Sequence, residues 1–74
     1  MDPMSIACFT AVAETQNFSR AERRCGLSQP ALTRALRRLE QQAMAPLFDR
    51  RRSDARLTEE GLRMLMSLRV SAAA

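Results

Sequence analysis

A chain of 74 residues has room for one small domain, and its two cysteines and lack of histidine argue against a disulfide framework and a zinc site. Its apolar runs are too short to span a bilayer and no signal peptide is visible, so we expect a cytoplasmic protein without a membrane partner. The formal net charge of +4 is concentrated in residues 20–56, where ten arginines accompany four carboxylates. This charge predicts a surface for a polyanion, the alternative being a solvated basic face.

The first part of the chain predicts two helices in close succession. Apolar spacing predicts a first helix over about residues 4–15, buried through Ile6, Phe9, Val12 and Ala13. Ser19 stands three residues before Glu22, which is the spacing of a capping box at the start of a second helix. Gly26 predicts the end of that helix, because glycine readily adopts the left-handed conformation that closes helices.

The next segment predicts a third helix that begins directly after this turn. Ser28 is a good N-cap, and Pro30 is favourable in a first helical turn. One face is an apolar stripe of Leu32, Leu36 and Leu39. The other face carries polar side chains of the kind that read base edges. Two helices joined so tightly predict a helix-turn-helix.

After residues 39–42 the third helix should end, since Pro46 blocks its continuation. Residues 47–48 and 55–57 predict two short strands, and the loop between them carries Arg50, Arg51 and Arg52. This basic hairpin is interpreted as a wing, the alternative being a merely solvated loop. Thr58 is then predicted to be the N-cap of a last helix. The apolar residues of that helix surround more than one face, so we expect a partner helix to cover them.

Several motifs along the chain follow the register of one known family without a gap. They are Phe18-Ser19-Arg20-Ala21, Leu27 to Thr33, Leu39-Glu40, Pro46 to Arg50, and Leu57-Thr58-Glu59 with Gly61. On these motifs the chain resembles the N-terminal DNA-binding domain of LysR-type transcriptional regulators, from about residue 4 to residue 61.

The resemblance implies a mainly α fold of the winged helix-turn-helix class. It has a three-helix core, a short β-hairpin wing and the start of a C-terminal linker helix. The implied DNA-binding domain is residues 1–58, with the helix-turn-helix over about 18–37, and residues 59–74 begin the linker and dimerisation helix. The family's effector-binding domain is absent from these 74 residues, so we expect no small-molecule effector site here.

The resemblance further implies sequence-specific binding of double-stranded DNA, as a dimer, by a transcriptional regulator associated with the nucleoid. The residues expected to contact DNA are Ser28, Gln29, Pro30, Ala31, Thr33, Arg34, Arg37, Arg50, Arg51 and Arg52. The residues expected at the dimer contact are Leu62, Leu65 and Met66. Arg34 has no carboxylate one helical turn away, whereas Arg37 could instead pair with Glu40 or Gln41.

Two other functions are alternatives to DNA binding. The chain could act as the dimerisation partner of a full-length relative and modulate it, which the apolar last helix would permit. An enzyme is not expected, because there is no histidine, no glycine-rich phosphate loop and no nucleophile beside a base. We expect no cofactor and no metal.

Four positions depart from the family pattern. Glu22 stands where the family has a small alanine, so its carboxylate must reach solvent or find a partner. Cys25 and Ala43 replace leucines and remove core volume. Met44 replaces a glycine at an expected left-handed position. Together these departures predict a weakly stable domain.

Overall fold

A computed structural model describes residues 2–52 and 54–73 of the chain, with the side chains of residues 72 and 73 left aside. This part of the chain forms four helices: α1 (Pro3–Thr15), α2 (Phe18–Cys25), α3 (Gln29–Ala43) and α4 (Glu59–Ala73). The first three pack on one another as the predicted three-helix core. Within the described residues, none of the helices has the length and apolarity needed to cross a bilayer.

The first helix begins where its capping chemistry is best. Asp2 is the N-cap, and its carboxylate accepts hydrogen bonds from the backbone N–H and the hydroxyl of Ser5, at 3.0 and 2.8 Å. The predicted start was therefore one residue late. Phe9, Val12 and Ala13 are buried as predicted, whereas Ile6 is only half-buried.

The predicted capping box at the start of α2 is wrong. The N-cap is Asn17, whose side-chain oxygen accepts a hydrogen bond from the backbone N–H of Arg20 at 2.9 Å. Asparagine caps a helix as well as serine does, and Ser19 lies inside the first turn instead. The predicted end is confirmed, because Gly26 is left-handed with φ of 67°.

The third helix confirms its predicted beginning and its apolar stripe. The Ser28 hydroxyl accepts a hydrogen bond from the backbone N–H of Ala31 at 3.4 Å, and Leu32, Leu36 and Leu39 are buried. The helix runs to Ala43 and ends at Met44 in the predicted left-handed conformation, with φ of 57°.

The predicted β-hairpin wing is not present in the described residues. A single antiparallel bridge joins Phe48 to Leu57, with the Asp49 N–H donating to the Arg56 carbonyl at 2.8 Å. Two features stop the ladder there: the Arg52 N–H bonds back to the Asp49 carbonyl, and Ala55 is left-handed with φ of 54°. The chain therefore forms a bridged loop, and we call residues 49–54 the wing loop, of which residue 53 lies outside the described part.

The last helix is anchored at its start, and its cap is confirmed. The Thr58 hydroxyl accepts from the Gly61 N–H at 3.0 Å and donates to the Pro46 carbonyl at 2.6 Å. Leu65, at 6% exposure, packs into the core of the domain.

An aromatic cluster joins the segment after α3 to the helical core. The Phe48 ring lies 5.6 Å from that of Phe9 and 6.2 Å from that of Phe18, between ring centroids. Both contacts fall within the range in which tilted aromatic pairs attract. They fix the start of the wing loop beside α1 and α2.

Candidate nucleic-acid interface

The face of α3 opposite its buried leucines is open to solvent. Ser28, Gln29 and Pro30 form the exposed tip of the helix, and Ala31 and Thr33 are half-buried beside it. Arg34 and Arg37 follow on the exposed side. The helical repeat thus places the buried leucines on one side of α3 and the polar residues on the other.

The arginines of α3 are available for a ligand. Arg34, Arg37 and Arg38 make no salt bridge within residues 2–52 and 54–73, and all three are exposed. The local pairing of Arg37 with Glu40 or Gln41, left open by the sequence, is not observed in this part of the chain. An arginine without a carboxylate partner keeps its five N–H donors for phosphate or guanine.

The wing-loop arginines are different, because each has a carboxylate partner. Arg51 holds Asp49 through two hydrogen bonds of 2.9 and 3.1 Å, and Arg52 holds Asp54 through two of 3.2 and 3.3 Å. The side-chain hydrogen bond from Arg51 lowers the pKa of Asp49, and that from Arg52 lowers the pKa of Asp54. Both carboxyls are therefore charged at neutral pH. Sequence reasoning missed these pairs.

Glu40 connects the end of α3 to the wing loop. Its carboxylate accepts from the backbone N–H groups of Leu47 and Phe48, at 2.7 and 3.4 Å, and forms a salt bridge with Arg50. The partners lie seven to ten residues along the chain. Helical spacing gives no signal for such contacts, so the sequence predicted none of them.

A cleft of about 220 Å³ separates α3 from the wing loop. Its polar walls include Gln29 and Thr33 from α3 and Arg52 from the wing loop, over an apolar floor. The floor and the remaining wall are Phe18, Leu36, Phe48, Asp49 and Arg50. The structure therefore brings Gln29 and Thr33 of α3 and Arg50 and Arg52 of the wing loop together around one cleft.

The residues predicted for a dimer contact are divided by the fold. Leu62 and Met66 are 50% and 58% exposed, whereas Leu65 belongs to the chain's own core. Val70, which was not predicted as a contact, continues the exposed stripe. Residues 62, 66 and 70 recur every four positions and so share one face of α4.

Glu22 reaches solvent from the side of α2. It is half-buried and makes no salt bridge within the described residues. No buried side-chain oxygen in that part of the chain lacks a hydrogen-bond partner, so the carboxylate is hydrated rather than stranded.

Of the two cysteines, Cys8 is buried in the core and Cys25 is half-buried. Both are free thiols, and burial raises the pKa of Cys8 to about 11. A buried, protonated thiol is a poor nucleophile and a poor metal ligand. Within residues 2–52 and 54–73 no group of three or more metal-ligating side chains comes together.

Comparison with protein families gives a match over most of the chain. The family described as bacterial regulatory helix-turn-helix protein, lysR family, matches residues 4–62. The chain is 48% identical over 65 residues to an uncharacterized HTH-type transcriptional regulator in the ibpB-leuC intergenic region of Azotobacter vinelandii, covering 88% of this chain and 45% of that protein. It is 43% identical over 61 residues to the HTH-type transcriptional regulator BudR of Klebsiella aerogenes, covering 82% and 43%. The chain thus spans less than half the length of these relatives.

Solved structures give the same fold. The chain is similar to Vibrio fischeri DarR in complex with DNA, with a TM-score of 0.89 and 29% identity over 99% of this chain and 25% of that one. It is also similar to BenM_DBD in a complex with catB site 1 DNA, with a TM-score of 0.87 and 26% identity over 99% and 83%.

Proposed function

Because the chain belongs to the lysR family of bacterial regulatory helix-turn-helix proteins, we propose that it regulates transcription by binding double-stranded DNA through α3 and the wing loop. The observation that carries the proposal is the exposed face of α3, where Arg34 and Arg37 have no carboxylate partner among the described residues. The two similar structures described above are complexes with DNA, and they support a DNA duplex as the partner.

In this proposal the first turn and a half of α3 enters the major groove. Gln29 can pair with adenine and Arg34 with guanine, since these side chains match the donor and acceptor patterns of those bases. Thr33 contacts a base edge or a thymine methyl group. Ser28, Pro30 and Ala31 form the blunt helix start that allows close approach to the groove.

The remaining arginines bind the sugar-phosphate backbone. Arg37 lies one turn further along the exposed side of α3, Arg50 and Arg52 lie across the cleft, and Arg51 is exposed between them in the wing loop. Contacts to phosphates set position and affinity, whereas contacts to bases set sequence preference. In this proposal the start of α3 therefore reads the bases, while Arg37 and the wing-loop arginines bind the backbone.

We also propose that residues 1–58 form the DNA-binding unit and that α4 mediates dimerisation. The exposed stripe that begins with Leu62 and Met66 supports this, since an isolated helix with such a stripe gains by covering it. A second copy of the chain is the proposed partner. A full-length relative could occupy the same stripe, and this would make the chain a modulator of that relative. Its place of action would be the nucleoid, where the DNA is.

The test is selection of bound fragments from a bacterial genomic library at moderate salt, followed by titration of the selected site. Replacing Gln29 and Arg34 together by alanine should weaken discrimination between the selected site and a random duplex by about 1–3 kcal/mol for each lost base contact. The matched control is Arg69→Ala, which removes the same charge from an exposed position of α4. Equal discrimination by the wild type and the double variant would contradict base reading by α3.

A further inference from the structure

The wing loop carries its own counter-charges. Arg51 and Arg52 each form a two-pronged pair with an aspartate of the same loop, in the arrangement that guanidinium also makes with phosphate. The arginines of α3 have no such partner in the described residues. The two halves of the proposed interface thus differ in whether their charge is already neutralised.

The Asp49 pair is held in place by the backbone. One oxygen of the Asp49 carboxylate also accepts a hydrogen bond from the Arg51 N–H at 3.0 Å. The Asp49 side chain is 20% exposed and that of Arg51 is 90% exposed, so the carboxylate lies on the loop and the guanidinium covers it from the solvent side. A phosphate that approached Arg51 would meet a guanidinium that already gives two of its five N–H donors to Asp49.

Asp54 is the centre of a second group. Its carboxylate pairs with Arg52 and also lies 3.7 Å from the Arg56 guanidinium. One carboxylate therefore offsets two arginines at the foot of the wing loop. Salt bridges exposed to this degree contribute little to folding stability, so their removal should leave the fold intact.

These pairs would weaken the contacts between the wing-loop arginines and the phosphates of DNA. A phosphate that takes up the same two-pronged contact with Arg51 or Arg52 must displace the carboxylate, which then stays near the duplex as a like charge. The energy of the new contact is reduced by that exchange. The reduction applies to every sequence equally, because phosphate contacts carry no base information.

We propose that Asp49 and Asp54 are positioning residues that hold Arg51 and Arg52 back from the duplex and thereby weaken sequence-independent DNA binding. The choice of binding site is then left to α3. This inference rests on the proposed function, since it assumes that the wing loop meets DNA.

The experiment compares Asp49→Asn and Asp54→Asn with the wild type in binding a labelled duplex of random sequence over a salt series. Each variant should bind on the order of tenfold more tightly at about 50 mM salt, with a slope of log affinity against log salt that is steeper by about 0.9. Asparagine can still accept the hydrogen bond from the Arg51 N–H, so Asp49→Asn preserves the local turn. Circular dichroism confirms the fold of each variant, and Asp54→Asn suffices if Asp49→Asn fails to fold.

The matched control is Glu14→Gln, which makes the same change in net charge and releases Arg24 from its pair between α1 and α2. It should tighten binding far less. A second control repeats Asp49→Asn in an Arg51→Ala background, where the gain should fall to that of Glu14→Gln. The inference is overturned if the two aspartate variants bind no more tightly than Glu14→Gln, or if the gain survives without Arg51. Failure of the folded wild type to bind the random duplex at low salt would instead overturn the proposed function.

Discussion

Met44 adopts a backbone conformation that is sterically unfavourable for a residue with a side chain. It ends α3 with φ of 57°, and 91% of its surface is exposed. A side chain in the left-handed region costs about 1–2 kcal/mol relative to glycine, and here no burial offsets that cost. The Met44 N–H does bond to the carbonyls of Glu40 and Gln41, so the cap itself is well formed.

We predict that Met44→Gly stabilises the domain by about 1 kcal/mol, because it keeps the cap and removes the steric penalty. Thermal and urea unfolding followed by circular dichroism would measure this. Gln42→Gly is the control: it introduces the same residue two positions earlier, inside the last turn of α3, and should destabilise by a similar amount. A lower melting temperature for Met44→Gly than for the wild type would refute the strain.

Asp2 makes a pH-dependent contribution at the start of α1. Hydrogen bonds from the side chain and backbone of Ser5 lower its pKa from the ordinary value of 3.8. A carboxyl whose pKa is lower in the folded state stabilises that state above pH 3.8, and this contribution is lost as the pH falls through the folded-state pKa.

We therefore predict that Asp2→Asn has a melting temperature that falls less steeply than that of the wild type on acidification below pH 4. Asparagine still caps the helix but does not titrate in this range. Melting curves at closely spaced pH values would test it. Parallel curves for the two proteins would show that Asp2 contributes nothing to acid sensitivity.

At the scale of elements, α4 joins the rest of the domain through a close approach at Gly61. A Cβ atom placed there would overlap the backbone carbonyl oxygen of Leu47. Because that carbonyl also accepts the Thr58 N–H, at 3.0 Å, it cannot move aside without loss of a hydrogen bond. The glycine is thus required for helix docking rather than for backbone flexibility.

We predict that Gly61→Ala destabilises the domain by about 3 kcal/mol, which is the upper part of the range for overpacked sites. Gly26→Ala provides the comparison, since its Cβ would meet open space and only its φ of 67° is unfavourable. That change should cost about 1 kcal/mol. If denaturant unfolding showed that the two variants lose the same free energy of unfolding, a steric role for Gly61 would be contradicted.

Across the whole molecule, the features that sequence reasoning predicted correctly depend on short-range chemistry. The Ser28 and Thr58 caps and the Gly26 helix end each involve residues within one helical turn, and the family resemblance is confirmed by the match over residues 4–62. The hairpin prediction was wrong because the sequence gives no signal that Ala55 adopts the left-handed conformation.

The ion pairs of the interface could not be predicted for a related reason. Glu40 and Arg50 meet only because the chain folds back after α3, and Asp49 and Arg51 meet only through a loop turn. Sequence reasoning located the arginines but not their partners. Which of them contact DNA stays a prediction.

The exposed stripe of α4 leads to the last prediction, which concerns assembly. Met66→Glu places a charge in the middle of the stripe between Leu62 and Val70, and burying that charge against a second copy would be costly. We expect sedimentation to show that the wild type dimerises with increasing concentration and that Met66→Glu stays monomeric. Met44→Glu is the matched control, because Met44 is also exposed but lies at the end of α3. A dimer that persists in Met66→Glu, or a wild type that remains monomeric at millimolar concentration, would rule out this face as the contact between copies.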